Sequence, residues 1–154
     1  MKNALVVYYS RTGHSRLIAR ETARKLKADL DEIKTHVRYK GFIGFYRACL
    51  HAITKKEPVI EYNRYPGKYD LVIIVGPNWG SRMASPIQTY LSKHKLGNKK
   101  IGAICVQGSS GGEKIIALME KKIRRKMIHL IINQRDIKDK SYVHRINEFL
   151  KKVK

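Results

Sequence analysis

Residues 10–15, with the sequence SRTGHS, combine short hydroxyl side chains with one glycine between an apolar run and a helical pattern. Such a junction suits phosphate binding, because the free N–H groups of a helix N-terminus attract an anion and hydroxyls add donors. Gly13 would let the backbone close on the ligand, and the helix dipole makes a lysine unnecessary. The same residues also fit an ordinary turn with Ser15 as the helix N-cap. The candidate phosphate-binding residues are Ser10, Arg11, Thr12, Gly13, His14 and Ser15.

Two further loops share this composition of small and hydroxyl residues. One follows the apolar run 69–75 and the other follows the apolar run 101–106. The nucleotide pattern GxxxxGK(S/T) and the dinucleotide pattern GxGxxG are absent, which disfavours ATP, GTP and NAD as ligands. The candidate site residues of these loops are Pro77, Asn78, Trp79, Gly80 and Ser81, followed by Gln107, Gly108, Ser109, Ser110 and Gly111.

Strand-like and helical patterns alternate along the chain, and this alternation predicts the elements that hold the three loops. The predicted strands are 4–9, 30–35, 69–75, 101–106 and 127–133, and the predicted helices are 15–26, 41–53, 84–94, 112–123 and 141–153. The order implies right-handed crossovers and a five-stranded parallel sheet with helices on both faces, as one α/β domain over residues 1–154. Ligands of such sheets bind at the carboxyl ends of the strands, where the three loops fall. The segment 134–140, after the last strand, is predicted to be a loop without their composition.

The predicted helix 41–53 carries an apolar and largely aromatic stripe at helical spacing. We expect this stripe to face the core rather than a cofactor. The two cysteines have no metal-like spacing and are expected to be reduced core thiols, whereas His94 and His144 are expected to face solvent. The residues of the stripe are Phe42, Phe45, Tyr46, Cys49, Leu50 and Ile53.

The formal net charge of +21 over 154 residues indicates an acidic partner, which could be nucleic acid, an anionic membrane surface or an acidic protein. Aromatic and basic residues do not interleave as they do in single-strand binders. No apolar run approaches the roughly 18 residues of a membrane span. The first residues, MKNALVVYYS, lack the apolar region and cleavage site of a secretory signal, so we expect a cytoplasmic protein.

Three segments together resemble the short-chain flavodoxin family. SRTGHS is similar to the family's phosphate loop (S/T)xTGx(S/T), and GKYDLVIIVGPNWGSRMASPIQTYL is similar to its segment YDLVxxGxPxWxGxMxxPxxxFL. VQGSSGGEK is similar to its third flavin loop, and the resemblance extends over essentially the whole chain. It implies FMN as the cofactor and a three-layer, flavodoxin-like fold with strand order 2-1-3-4-5.

The resemblance also implies roles for single residues. Trp79 would stack on the isoalloxazine ring, although the indole could instead pack on the sheet edge. The loop around Asn78 would bring backbone groups to the ring, and residues 107–111 would meet its pyrimidine edge, where N–H groups stabilise negative charge. His14 could contact the phosphate or the ribityl chain. The chain departs from the family at Val75, Ser81 and His14.

The function implied is electron transfer, or a small FMN-dependent oxidoreductase of the quinone or NAD(P)H reductase type. Its partner would be an acidic redox protein or a small electron acceptor. The sequence suggests no nucleophilic triad or metal site, so the difficult chemistry would belong to the flavin. The alternative is a flavodoxin-like binding module whose basic surface docks on nucleic acid or an anionic membrane.

Overall fold

A computed structural model describes residues 3–154, so that Met1 and Lys2 of the predicted 1–154 domain lie outside the described residues. The strands are β1 (Ala4–Tyr8), β2 (Asp29–Glu32), β3 (Lys34–Thr35), β4 (Ile60–Glu61), β5 (Leu71–Trp79), β6 (Arg82–Met83), β7 (Lys100–Gln107) and β8 (Ile128–Asn133). The helices are α1 (His14–Leu26), α2 (Gly41–Ile53), α3 (Ser85–Lys93), α4 (Gly112–Ile123), α5 (Gln134–Lys138) and α6 (Tyr142–Val153), with a 3-10 turn at Pro66–Lys68.

Five strands form a parallel sheet in the order β2-β1-β5-β7-β8. When only these five strands are numbered along the chain, the order is 2-1-3-4-5, which confirms the predicted order and the α/β class. The sheet has a sixth strand that the prediction lacked, because the two-residue β6 pairs antiparallel with the end of β5. A separate two-stranded ribbon joins β3 and β4, so the predicted strand 30–35 is divided between two sheets.

The central strands are buried on both faces, as continuous apolar runs predict for a parallel sheet. Alternate residues therefore point to opposite sides. Val6 and Ile73 pack with α1 and α6, whereas Val7 and Ile74 pack with α2, α3 and α4. The sheet lies between these two helical layers, and both layers contribute to a dry core.

The prediction that the apolar stripe of α2 faces the core is wrong. The helix has the predicted bounds, but its large apolar side chains point outward and its small residues, Gly44, Ala48 and Ala52, are buried. Phe42 has 89% of its surface exposed. The small residues face inward because α2 lies against the backbone at Tyr39, where a Cβ on residue 44 would stand 2.6 Å from the carbonyl oxygen.

Two smaller predictions also need correction. The segment after β8 begins with helix α5 and is not a loop, since Asn133 and Asp136 form a capping box at its start. His94 does not face solvent, because its ring packs among Tyr62, Tyr65 and Tyr90.

The two cysteines are free thiols, as predicted, but only one of them is fully buried. Cys105 lies within β7 in the core, and burial raises the pKa of its thiol to about 12. Cys49 on α2 is half-buried. Within residues 3–154, none of the helices has the length and apolar character that crossing a bilayer requires.

Candidate functional site

The three predicted loops meet at one cavity of about 270 Å³ at the carboxyl edge of the sheet. The residues that line it are Arg11, Thr12, His14, Ser15, Phe45, Pro77, Asn78, Trp79, Val106, Gln107, Gly108 and Gln134. The remaining candidates, Ser10, Gly13, Gly80, Ser81, Ser109, Ser110 and Gly111, lie in the same loops beside the lining. The convergence follows from the parallel sheet, which brings the carboxyl ends of β1, β5 and β7 to one edge.

The first loop leads into α1, whose N-terminus has no side-chain cap among residues 3–154. Gly13 is the N-cap of α1 and has a φ of 104°, in the left-handed region that favours glycine. Ser15 is buried inside the helix, so its alternative assignment as the N-cap is wrong. Because no side chain of residues 3–154 caps α1, the N–H groups of the first turn remain available to an anion.

The hydroxyl of Ser10 has a positioning role within this loop. Its Oγ accepts a hydrogen bond from the Gly13 N–H at 3.0 Å, which fixes the turn that opens the helix. Thr12 is exposed and lines the cavity, so its hydroxyl is accessible to a ligand. The loop thus presents backbone and hydroxyl donors together at the start of α1.

Arg11 supplies a positive charge at the same end of the cavity. Its guanidinium lies 5.2 Å from the centre of the Phe45 ring, a cation–π distance. Its Nη1 also donates to the Tyr39 carbonyl oxygen at 3.4 Å. These two contacts hold the side chain between the first loop and α2.

The second and third loops are linked by one amide side chain. Asn78 donates through Nδ2 to the Ser110 carbonyl oxygen at 2.7 Å, and its Oδ1 accepts from the Ser81 N–H at 2.7 Å. Gln107 in turn donates to the Asn133 Oδ1 at 2.9 Å. The two loops are therefore held in place by hydrogen bonds between them and to the neighbouring strand end.

The turn between β5 and β6 brings the backbone of the second loop close to the third. Its two central residues, Gly80 and Ser81, both have positive φ, at 59° and 62°, as in the tight turns that join hairpin strands. Gly111, at φ 96°, caps α4 and packs so closely that an added Cβ would overlap the Ser81 side chain. Gly111 is thus required both by its backbone conformation and by this contact.

Trp79 forms one wall of the cavity, and it does so from the buried end of a strand. It is the last residue of β5 rather than a residue of the loop after that strand, and it has 2% of its surface exposed. The indole packs edge-on against Tyr9 at 5.6 Å and is tilted against Tyr39 at 4.7 Å. Its Nε1–H finds no acceptor among residues 3–154, which leaves a buried donor unsatisfied on a side chain of the wall.

The aromatic residues behind this wall are uncharged near neutral pH. Burial raises the pKa of Tyr9 far above its usual value and raises the pKa of Tyr39 as well. The Tyr39 hydroxyl lies 2.9 Å from Nδ1 of His51, whose pKa is lowered by burial and by the nearby cations Lys56 and Arg47. The cavity therefore has an apolar aromatic side and, at the first loop, a side rich in donors.

Sequence reasoning missed three lining residues, which are Phe45, Val106 and Gln134. Gln134 follows β8 at the same edge of the sheet, and it was missed because its segment lacks the small and hydroxyl residues of the other three loops. Phe45 was missed because its helix was assigned the wrong buried face.

Comparisons with known proteins place the fold. No family model matches the chain, and no curated protein matches it. The crystal structure of a flavoprotein in complex with FMN from Lactobacillus acidophilus NCFM is 21% identical, has a TM-score of 0.75, and the match covers 92% of this chain and 99% of that one. A putative flavoprotein from Bacteroides uniformis ATCC 8492 is 17% identical, with a TM-score of 0.79 and coverage of 95% and 98%.

A flavodoxin from Streptococcus pneumonia TIGR4 is similar at 15% identity and a TM-score of 0.59, with 97% of this chain and 96% of that chain covered. All three comparisons extend over nearly the full length of both chains. The chain therefore has the flavodoxin-like fold, as its three loop motifs implied.

Proposed function

We propose that this chain binds FMN at the cavity between the three loops and transfers electrons through it. The observation that carries the proposal is the convergence of these loops on a cavity that is lined both by donors at the start of α1 and by aromatic side chains. The flavodoxin-like fold supports it, since an FMN complex is known for a structure of that fold. When bound, FMN supplies one- and two-electron redox chemistry, and the protein supplies binding, orientation and electrostatics.

The phosphate of FMN fits the uncapped start of α1. The N–H groups of the first turn, the exposed Thr12 hydroxyl and the Arg11 guanidinium would share its negative charge. Gly13 keeps the space beside the loop open, since no atom lies within 4 Å of where its Cβ would be. His14 would lie beside the phosphate or the ribityl chain.

The isoalloxazine ring fits between the second and third loops. Backbone groups at 78–81 would face the ring, and the N–H groups at 107–111 would face its pyrimidine edge and stabilise the negative charge that reduction places there. The Asn78 amide holds both loops in place before a ligand binds. Trp79, backed by Tyr9 and Tyr39, would form the apolar wall on which the ring packs.

The first experiment is a titration of apoprotein with FMN. Thr12→Ala removes a hydroxyl donor to a dianion, which should cost about 1.5–3 kcal/mol of binding free energy. Gly13→Val should weaken binding further, because a branched residue does not tolerate its φ of 104°. Gly97→Val, at a glycine with open space around it, is the matched control. Unchanged affinity in both loop variants would place the phosphate elsewhere.

A second experiment uses the only tryptophan of the chain as a reporter. If Trp79 packs against the ring, its fluorescence should be strongly quenched in the FMN-bound protein and should recover when FMN is removed. Emission that does not respond to FMN would separate the indole from the ring.

Electron transfer divides into two testable forms. A carrier would pass electrons to an acidic redox protein, and the net charge of +21 should make the association rate fall steeply with ionic strength. An oxidoreductase would instead consume NAD(P)H or reduce a quinone in steady-state assays of the FMN-loaded protein. Absence of flavin absorption in the purified protein, together with failure to take up added FMN, would refute both forms.

A further inference from the structure

The outward side of α2 is an exposed apolar surface beside the cavity. Phe42, Ile43 and Tyr46 have 89%, 74% and 70% of their surface exposed. We call this surface the α2 face, and it consists of Phe42, Ile43, Phe45, Tyr46, Leu50 and Ile53. Single exposed apolar residues are common on proteins, but a contiguous set on one helix indicates an interaction surface.

The helix cannot bury this face by turning about its axis. Its inward side consists of Gly44, Ala48 and Ala52, one helical turn apart and all buried. A Cβ on residue 44 would overlap the backbone of Tyr39, in the loop that leads into α2, so a larger side chain has no room on this side of the helix. The large apolar side chains of α2 therefore remain directed away from the core.

The chain segment that contains the α2 face is strongly basic, and the nearest carboxylates in sequence are Glu32 before it and Glu57 after it. Residues 33–56 contain no aspartate or glutamate, although they contain several lysines and arginines. These cations are exposed, and within residues 3–154 none of them forms a salt bridge. They are Lys34, Arg38, Lys40, Arg47, Lys55 and Lys56.

We infer that the α2 face docks on an anionic lipid surface. Helices that lie in a membrane interface combine an apolar side with lysine and arginine, and their binding grows with buried apolar area and with attraction to anionic lipids. A second copy of this chain is a poor occupant, because it would bring two molecules of charge +21 together with cations against cations. A lipid interface also accepts a convex row of protruding side chains, whereas a protein partner must present a matching groove.

Docking would also set the orientation of the cavity. Phe45 belongs to the α2 face and lines the cavity as well. The cavity mouth would therefore lie next to the lipid surface, within reach of a lipid-soluble electron acceptor. The docking itself does not rest on the proposed FMN binding, and its test does not require FMN chemistry.

The experiment is co-sedimentation of the full chain with vesicles of phosphatidylcholine alone and of phosphatidylcholine with an equal part of phosphatidylglycerol. We expect binding to the anionic vesicles and little binding to the neutral ones. The double variant F42S/Y46S should weaken anionic binding by about tenfold or more, because it removes two aromatic anchors. The double variant K55E/K56E should weaken it by at least about 30-fold, because each lysine near the surface is worth roughly fivefold and the two glutamates add repulsion.

Matched controls come from the opposite helical layer. Leu17→Ser removes an exposed apolar side chain from α1, and K151E/K152E changes the total charge by the same amount as K55E/K56E but on α6. Both controls should stay within about twofold of the natural chain, since neither lies on the α2 face. Circular dichroism of every variant checks that the fold is intact.

Three results would overturn the inference. The first is an absence of binding to anionic vesicles by the natural chain, which would leave an acidic protein as the occupant. The second is an equal loss in K55E/K56E and K151E/K152E, which would make binding a matter of net charge rather than of this face. The third is a dimer in size-exclusion chromatography that F42S/Y46S abolishes, which would assign the face to a second copy.

Discussion

Helices α2 and α6 have the same kind of amphipathic pattern but bury opposite kinds of residue. On α6, the large apolar residues Ile146, Phe149 and Leu150 face the sheet, and the lysines at its end face solvent. On α2, the buried side is made of Gly44 and alanines, and the large apolar residues face solvent. The two helices lie on opposite faces of the same sheet, and they differ in what their inward sides contact.

The space opposite a helix determines which of its sides is buried. Gly102 on β7 leaves room for the Phe149 ring, whose tip would lie 2.8 Å from a Cβ there, so α6 fills its gap with large side chains. On α2, Gly44 meets the backbone of Tyr39 in the loop before the helix, so a side chain has no room at that position. Hydrophobic periodicity therefore predicts that a helix forms, but the small residues at every fourth position indicate which side faces a close neighbour.

The largest expected effect comes from truncating one phenylalanine on α6 and one on α2 and comparing the two losses of stability. Phe149→Ala should lower the free energy of unfolding by about 3–5 kcal/mol, because it leaves a cavity in the core. Phe42→Ala should change it by no more than about 0.5 kcal/mol, because the ring is exposed. Urea denaturation of both variants measures the contrast. Similar losses in the two variants would mean that the α2 face is packed against the fold.

A smaller effect is expected from filling the close approach at α2. An alanine usually stabilises a helix interior relative to glycine by about 0.5–1 kcal/mol. Gly44→Ala should instead destabilise the protein by about 1–3 kcal/mol, because its Cβ overlaps backbone atoms that cannot move aside. Gly97→Ala has open space and serves as the control in the same denaturation assay. A more stable Gly44→Ala variant would contradict the account of the buried side of α2.

The smallest effect concerns the histidines of the two helical layers. Burial, reinforced by Lys93, lowers the pKa of His94 at the end of α3. Below the ordinary histidine pKa of about 6.5, the unfolded chain therefore takes up a proton before the folded chain does. Stability should fall as pH drops from 7 toward 5, and His94→Phe should reduce that fall when melting temperatures are compared.

His144→Gln, on the exposed side of α6, is the matched removal of a histidine from the other layer. If both variants reduced the pH dependence equally, the buried ring of His94 would not be its source. His51 contributes in the same direction, since burial lowers its pKa too, so the dependence should be reduced by His94→Phe rather than abolished.

The sequence predicted most of the fold and the convergence of the three loops, because both depend on local patterns. The helices at 41–53 and 112–123 have the predicted ends, and the strand-end rule brought three loops to one cavity. The errors concern contacts between distant residues. Burial of Trp79 depends on Tyr9 and Tyr39, and burial of His94 depends on Tyr62 and Tyr90, which no local pattern encodes.

The amide of Asn78, which joins the second and third loops, has a consequence for the thermodynamics of ligand capture. Loops that are ordered only when a ligand arrives lose conformational entropy at that moment, and the loss weakens binding. Here the Ser110 carbonyl and the Ser81 N–H are already held by one side chain. We therefore expect the entropy of ordering these two segments to be lost during folding, so that less of it opposes the binding of a ligand.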